Sequence, residues 1–453
     1  MGAMSVSRAP THSARSRTSA LRWLATGAVA VVVIGGGIAF GAAGPGPKGL
    51  ESDAVASSAT QPGAPGTPAG SAFVPPPAPA SQIDATPDTG DVTFTIAAAG
   101  DVLTHAPVLA SATTSSGYDF APLLDPVRDY IANPDLAFCH LEVPIAPDGT
   151  GPSGYPRFGA PQDIVKGLKD EGWDGCSTAS NHSVDLGFPG IDATLAAFDA
   201  QGMGHAGTAR TEDEADSVQM YRVRTAGRLI TVAHISFAYG LNGLPKPTGK
   251  PWSANTFDAN ASDAQPIIDR AQAARDAGAN VVIASVHCCV EYQTAPTAAQ
   301  RKLAENIAAS GLVDLYLGHH AHVPQPVELL PGGPTGNGMW TAFGLGNFLS
   351  NQDTQCCVAE TNSGILLTAN FTVKPDDEVD VGVEWTAITV DRLGDHTIHA
   401  LRDIADGTAT LSASEVAARL SRVTDAAGPD APERTEPASA EADDAYRIPR
   451  GTT

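Results

Sequence analysis

Gly318-His319-His320-Ala321-His322 follows directly on Leu312-Val313-Asp314-Leu315-Tyr316-Leu317. The leading stretch is an apolar run of strand length and reads as a buried strand. Three histidines within four positions at its exit gather several imidazoles at one sheet edge. That is where open α/β sheets build their sites. Neutral imidazole is the commonest metal ligand, and a strand exit can aim two rings at one point. Polar loop residues satisfied by backbone are the plainer reading, which suits a lone histidine better than a cluster.

Outward from this stretch, apolar runs recur and end on polar residues. Residues 92–99 lead to Gly100-Asp101, 136–139 to Glu142, 175–179 to Asn181-His182, and 281–286 to His287. Helical patterns over 162–171, 190–201, 264–277 and 297–310 alternate with these strands. After residue 340, strands over 364–373 and 379–390 follow without long helices between them. This order predicts an α/β domain with two sheets packed together and helices outside. One acidic residue after a strand is ordinarily a helix cap. A series of strand exits bearing Asp101, Glu142, Asn181, His182, His287, His320 and His322 predicts that these side chains meet. The mix of carboxylate, amide and imidazole suits Mn, Fe or Zn rather than an all-oxygen Ca or Mg site. There are more ligands than one tetrahedral zinc needs, so two divalent transition metals are expected. A pair about 3.5–4 Å apart can activate water and clamp a phosphoryl-like transition state.

The formal net charge of −23 excludes nucleic acid as a natural partner, since that needs a basic surface. Residues 1–22 are basic, with Arg8, Arg15, Arg17 and Arg22 and no acid, and residues 23–44 hold no ionisable side chain. About 20 apolar residues span a bilayer with the positive flank cytoplasmic. The reading is a single transmembrane signal-anchor, with the rest of the chain outside the cell membrane. The alternative is a long signal peptide cleaved near Ala39-Phe40-Gly41-Ala42. Residues 45–90 form a Pro/Ala/Ser-rich linker. Residues 91–405 read as one domain, 406–424 as a C-terminal helix, and 425–453 as a disordered acidic tail. A domain of this size buries enough apolar surface to fold unaided, so metal ligands in it serve function.

Six motifs in unbroken order carry a resemblance. They are Gly100-Asp101, His140-Leu141-Glu142-Val143-Pro144-Ile145, Ser180-Asn181-His182-Ser183-Val184-Asp185-Leu186-Gly187, His287-Cys288-Cys289-Val290-Glu291-Tyr292, Gly318-His319-His320-Ala321-His322 and Gly344-Leu345-Gly346-Asn347-Phe348. Together they resemble the CapA-type capsule-synthesis (poly-γ-glutamate) family over residues 91–352, a branch of the calcineurin-like metallophosphoesterases. The resemblance implies a four-layer αββα sandwich. It also implies a membrane-anchored domain acting in synthesis or export of an anionic envelope polymer, alongside synthase or exporter subunits, or else a non-catalytic accessory subunit. By position, it makes Asp101 a ligand of the first metal and Glu142 the bridge. Asn181 becomes a ligand of the second metal, with His287, His320 and His322 completing the set, and His182 becomes the general acid.

The chain departs from the pattern in three places. Position 103 is Leu where the wider superfamily has the second residue of Asp-x-His, and His105 is either a substitute ligand or a turn residue. The Asn usually found before Leu-Glu is His140, and the aromatic-Gly pair after the strand-end histidine is Cys288-Cys289. Asp185 either orients His182 or caps the next helix. Glu291 and Tyr292 contact substrate or serve as wall. Arg157 receives an anionic group or is simply solvated. Asn347 holds its loop or faces the site, and His319 is ligand or neighbour. An even count of six cysteines in an exported domain favours disulfides. The expected cross-link joins the Cys288-Cys289 segment to the Cys356-Cys357 segment, with Cys139 and Cys176 as buried apolar residues.

Overall fold

Val92-Thr93-Phe94-Thr95-Ile96 alternates large apolar with hydroxyl side chains, a pattern that suits a pleated strand. It starts β1 (Val92–Val102) in a computed structural model that describes residues 90–451. A short hairpin, β2 (Thr113–Thr114) and β3 (Gly117–Tyr118), comes next. Then follow β4 (Leu136–Leu141), β5 (Gly175–Ser177), β6 (Gly204–Ala206), β7 (Gln219–Thr225) and β8 (Arg228–Ala238). β9 (Val281–His287), β10 (Leu315–His319), β11 (Val327–Leu330), β12 (Met339–Ala342) and β13 (Asn347–Leu349) succeed them. β14 (Ser363–Val373), β15 (Val379–Asp391), β16 (Thr397–Ala400) and β17 (Asp444–Ile448) complete the order.

These strands form two large sheets. One runs β16-β15-β14-β1-β4-β5-β6, with β13 also on β1, and the other runs β11-β12-β10-β9-β8-β7-β17. Side chains alternate across a strand, so each strand serves two layers. Phe94, Ile96, Leu136 and Phe138 from the first sheet pack with Val232, Val281, Ile283, Leu315 and Leu317 from the second. The opposite faces of the first sheet's strands, through Ala97, Ala99, Ala137 and Cys139, pack on Ile164, Leu168 and Phe198. These last belong to helices Asp163–Asp170 and Gly187–Ala200. Val282, Ala284 and Tyr316 pack on helices Gln265–Asp276 and Ala298–Ala309 through Ile267, Ala271, Leu303 and Ile307. The layers are therefore helix, sheet, sheet, helix.

The alternation also decides which strand-end residues look into the space between the sheets. His140 has the parity of Leu136 and Phe138, His287 that of Val281 and Ile283, and His319 that of Leu315 and Leu317. Asp101 has the wrong parity, since it should follow Ala97 and Ala99 outward. The register corrects this. Ala98 lies opposite Phe138 but Asp101 lies opposite His140, so β1 uses three steps where β4 uses two. The extra residue is a bulge that turns Asp101 inward beside His140. Gly100 sits in that bulge, where a Cβ would lie 1.9 Å from the carbonyl oxygen of Gly346. The close approach lets the Asp101 amide donate to that carbonyl at 2.9 Å.

The C-terminal reading needs correction. The helix lies at Ala413–Ala427 rather than 406–424, capped by the Ser412 hydroxyl. Residues 425–453, expected to be disordered, instead supply β17, which pairs antiparallel with β7. The domain thus extends well past residue 405. Composition misled because two arginines tie the segment down. Arg447 donates to Asp199 Oδ1 at 3.1 Å, and Arg450 donates to the carbonyls of Thr208 and His205 at 3.0 and 3.2 Å. Deleting residues 442–453 should bare the edge of β7 and cost ~3 kcal/mol or more. The melting temperature should fall by roughly 5–10 °C, and an unchanged thermal transition would show the strand to be ornamental.

The basic segment, the anchor and nearly all of the linker fall on residues 1–89, outside the described residues. Among the described residues, no helix is long and apolar enough to cross a membrane. The expected cross-link between the two adjacent cysteine pairs is also corrected. The pairs are Cys139–Cys176, Cys288–Cys289 and Cys356–Cys357. Sheet register places Cys139 opposite Cys176, with Cα atoms 4.4 Å apart. Cys288 is buried in the apolar layer outside the second sheet, whereas Cys356 and Cys357 line an open cavity, so each adjacent pair closes on itself.

Candidate metal centre

The C-terminal ends of β1, β4, β9 and β10 converge where the two sheets face one another. Two groups of ligand atoms form there, each within 4.8 Å of one another: Asp101, His140, Glu142 and His287, and then Glu142, His320 and His322. All are buried, and Glu142 belongs to both groups. The β10 exit turns sharply, with His320 at φ +83° and His322 at φ +57°, left-handed conformations that cost a non-glycine residue about 1–3 kcal/mol each. Gly318 just before them is required by close packing, since a Cβ there would lie 1.9 Å from the Phe343 carbonyl oxygen.

Contacts inside the cluster are specific. His322 Nδ1 lies 3.0 Å from Asp101 Oδ2, and His322 Nε2 lies 3.8 Å from Glu142 Oε1. His287 Nε2 is 3.0 Å from Asn181 Oδ1 and 3.9 Å from Glu142 Oε1. Its other nitrogen meets His140 Nε2 at 3.0 Å, and His140 Nδ1 meets the Ser177 hydroxyl at 2.7 Å. Asn181 Nδ2 donates to Asn242 Oδ1 at 3.1 Å, which turns the amide oxygen toward His287. Tyr239 packs its ring 4.6 Å from that of His320.

Both oxygens of Glu142 and Nδ1 of His320 are buried without a hydrogen-bond partner among the described residues. Orphaned buried polar atoms are costly and call for an explanation. Electrostatics point the same way. Burial pushes the Glu142 carboxyl well above its usual range, with the Asp101 charge adding to it against the pull of His322. Burial also raises the Asp101 carboxyl, but the His319 and His322 rings beside it override this and hold the group far below its ordinary value. Burial drives His140 and His287 well below the ordinary imidazole range, and His320 down to about 3. For His322 burial opposes the proton, yet the Glu142 and Asp101 charges raise the ring to about 9. Carboxylates beside the neutral imidazoles of His140, His287 and His320 form a donor set suited to a divalent cation, which would take the place of the His322 proton. The residues present fit such an ion.

The other expected residues fall into place around this cluster. A cavity of about 800 Å³ opens beside it, lined in part by His105, Arg157, His182, Asp185, Glu291 and Tyr292. His182 Nδ1 lies 2.7 Å from Asp185 Oδ2, and the helix that follows begins without a side-chain cap. Asp185 therefore orients His182 and does not cap the helix. His105 stands apart from the cluster and accepts the Asn351 amide on Nδ1 at 3.3 Å. His319 lies 3.4 Å from Asp101 Oδ1 and stacks on His140 at 4.1 Å, a neighbour of the two ligand groups. Asn347, expected at the substrate, is instead fully buried. Its Oδ1 accepts from His322 Nδ1 at 3.2 Å, and its Nδ2 donates to the carbonyls of His322 and Thr361 at 3.2 and 2.8 Å, so it holds the β10 exit turn. Sequence reasoning missed His140 as a cluster member and Asn242 as the orienter of Asn181. The parity of His140 with Leu136 and Phe138 was the one available signal for the first.

The motif set and this geometry define a class, that of the capsule-synthesis proteins. A family model described as bacterial capsule synthesis protein PGA_cap matches residues 95–352, and the chain belongs to that family. The "PGA biosynthesis protein CapA" of Bacillus subtilis (strain 168) is 29% identical over 193 residues, covering 42% of this chain and 46% of the relative. The "Capsule biosynthesis protein CapA" of Bacillus anthracis is 23% identical over 235 residues, covering 50% and 53%. The chain thus spans about half the length of these curated relatives. Among solved structures, a novel phosphatase from Mycoplasma pneumoniae aligns at TM-score 0.32, with 14% identity, 66% of this chain and 94% of the other. The calcineurin-like phosphoesterase YfkN from Bacillus subtilis aligns at TM-score 0.34, with 14% identity, 74% and 97%. At such scores neither bears on chemistry.

Proposed function

We propose that the domain is a metal-dependent hydrolase or transferase of phosphodiesters, held outside the membrane by residues 23–44. It acts in making or exporting an anionic envelope polymer such as poly-γ-glutamate. The observation that carries this reading is Glu142, which belongs to two ligand groups and whose two oxygens are buried with no hydrogen-bond partner among the described residues. Asp101, His140 and His287, with Asn181 beside His287, would hold a cation on one side of Glu142; His320 and His322 would hold one on the other. Two bound divalent cations would supply positive charge to the phosphoryl oxygens and ease deprotonation of water. Asn242 and Asn347 fix the rotamers of Asn181 and His322, as outer partners of ligands generally do. Asp185 accepts a hydrogen bond from His182 Nδ1–H and so favours the doubly protonated ring, whose Nε2–H would protonate the departing oxygen.

Leu103, buried at the place of a missing ligand, favours a second reading, a non-catalytic subunit of a synthase or exporter that keeps at most one cation. One experiment separates the two. Protein purified without chelator is analysed for Mn, Fe and Zn and assayed on a generic phosphodiester. Two equivalents of metal with turnover that chelation abolishes support the enzyme. Metal-loaded protein with no turnover leaves the subunit.

A further inference from the structure

The cavity beside the cluster has one unusual feature outside the metal ligands. Among the described residues, Arg157 is the only lysine or arginine on its wall. Its side chain is exposed, and among the described residues its guanidinium has no ion pair or hydrogen bond. Most arginines of this acidic domain are engaged, for instance Arg275 with Asp314 at 2.6 Å and Arg301 with Glu328 at 2.7 Å. The loop that carries Arg157 is fixed in place. The Phe158 amide donates to Asp185 Oδ2 at 2.8 Å, the same oxygen that lies 2.7 Å from His182 Nδ1. The Phe158 ring meets His182 edge-on at 4.8 Å and His105 at 5.2 Å. One carboxylate thus sets both the imidazole and the loop beside it, so the backbone at Arg157 is anchored next to the Phe158 ring that packs on His182. His105 adds a second donor. Its Nδ1 accepts a backbone amide, so its proton sits on Nε2, and the ring lines the same wall.

We infer that Arg157 is a specificity-determining residue that seats a second anionic group, a carboxylate or a phosphate, carried on the leaving portion of the substrate. The inference rests on the hydrolase reading for its orientation. In the step, a lone pair of water forms the new P–O bond. The pair of the breaking P–O bond stays on the leaving oxygen, which takes the Nε2 proton of His182. The water gives up a proton to solvent, from which His182 is recharged. The group that leaves past His182 is therefore the one within reach of Arg157. Guanidinium suits either anion because its fork matches two oxygens. Of the other charges on the wall, Asp185 is already taken by His182 and Phe158, and Glu291 lies by Tyr292.

The test uses the whole domain loaded with Mn²⁺ and aryl phosphodiesters whose leaving phenol bears a carboxylate, a phosphate or the neutral carboxamide. Wild type should prefer one of the anionic phenols over the carboxamide by about tenfold or more in kcat/KM, chiefly through KM. The preference should vanish in Arg157→Gln, survive in part in Arg157→Lys, and vanish in wild type when the anion is moved to the ester that stays. Turnover of the carboxamide diester is the reference within each protein, so that the anionic-to-neutral ratio, and not the absolute rate, is compared. Binding of the matching non-hydrolysable phosphonates, followed calorimetrically, gives the same comparison without catalysis. If no diester is cleaved but the anionic phosphonate binds tighter and Arg157→Gln cancels the difference, the hydrolase reading fails and the seat stands. If diesters are cleaved with no anionic preference, or Arg157→Gln keeps the preference, the seat is wrong.

Discussion

Glu142→Gln is expected to empty the cluster of its cations and yet to raise the melting temperature of the metal-free protein. Both effects come from one arrangement. The carboxylate is shared by the two ligand groups, so its loss weakens binding on either side. Outer partners of ligands are worth about 10–100-fold in affinity, and a bridging charge should be worth more than the upper figure. Without cations, the same carboxyl is buried with neither oxygen hydrogen-bonded. It must stay charged in a dry place beside Asp101 or take up a proton against its solution preference. Either route costs free energy, and a neutral amide of the same shape avoids both. A gain of ~1–2 kcal/mol is expected in excess chelator, or roughly 2–5 °C. Metal titration and thermal melts with and without chelator check the pair. A variant that is less stable when metal-free would mean that Glu142 is held by protein contacts alone.

His182→Ala is expected to lower kcat by about 10²–10⁴-fold while leaving metal content unchanged. His182 lies outside both ligand groups but on the cavity wall, so its loss would remove the proposed proton donor and none of the grouped side chains. The deficit should grow as the leaving alcohol becomes more basic, because only a poor leaving group needs the proton. Asp185→Asn should reproduce part of the deficit, since a neutral amide no longer stabilises the imidazolium that donates from Nε2. Leaving-group plots for the three proteins make the comparison. A uniform loss across leaving groups would assign His182 to substrate positioning.

Much of the site was legible because strand exits are marked by residue type. Apolar runs ending on Asp101, Glu142, His287 and the triple histidine announced both the sheets and the convergence. Side-chain parity does not announce itself so readily. His140 looked like an ordinary substitution in a family motif, and only its face, shared with Leu136 and Phe138, brings it against His287. Asn242 sits in a glycine-bearing loop more than fifty residues from Asn181, and no local pattern links them. The C-terminal segment was misread for a different reason. Proline, alanine and acids lower the drive to bury surface, but a strand edge in need of partners and two pockets for guanidinium are tertiary facts.

The extra residue between Ala98 and Asp101 makes the chemistry sensitive to chain length as well as to residue type. A one-residue deletion at this point would leave β1 zipped to its neighbours while rotating the aspartate into the helical layer. The product would be a well-folded domain whose cluster lacks its aspartate. Within such a lineage, loss of the cluster would need no change at any of its residue positions, and a search for altered residues alone would overlook it.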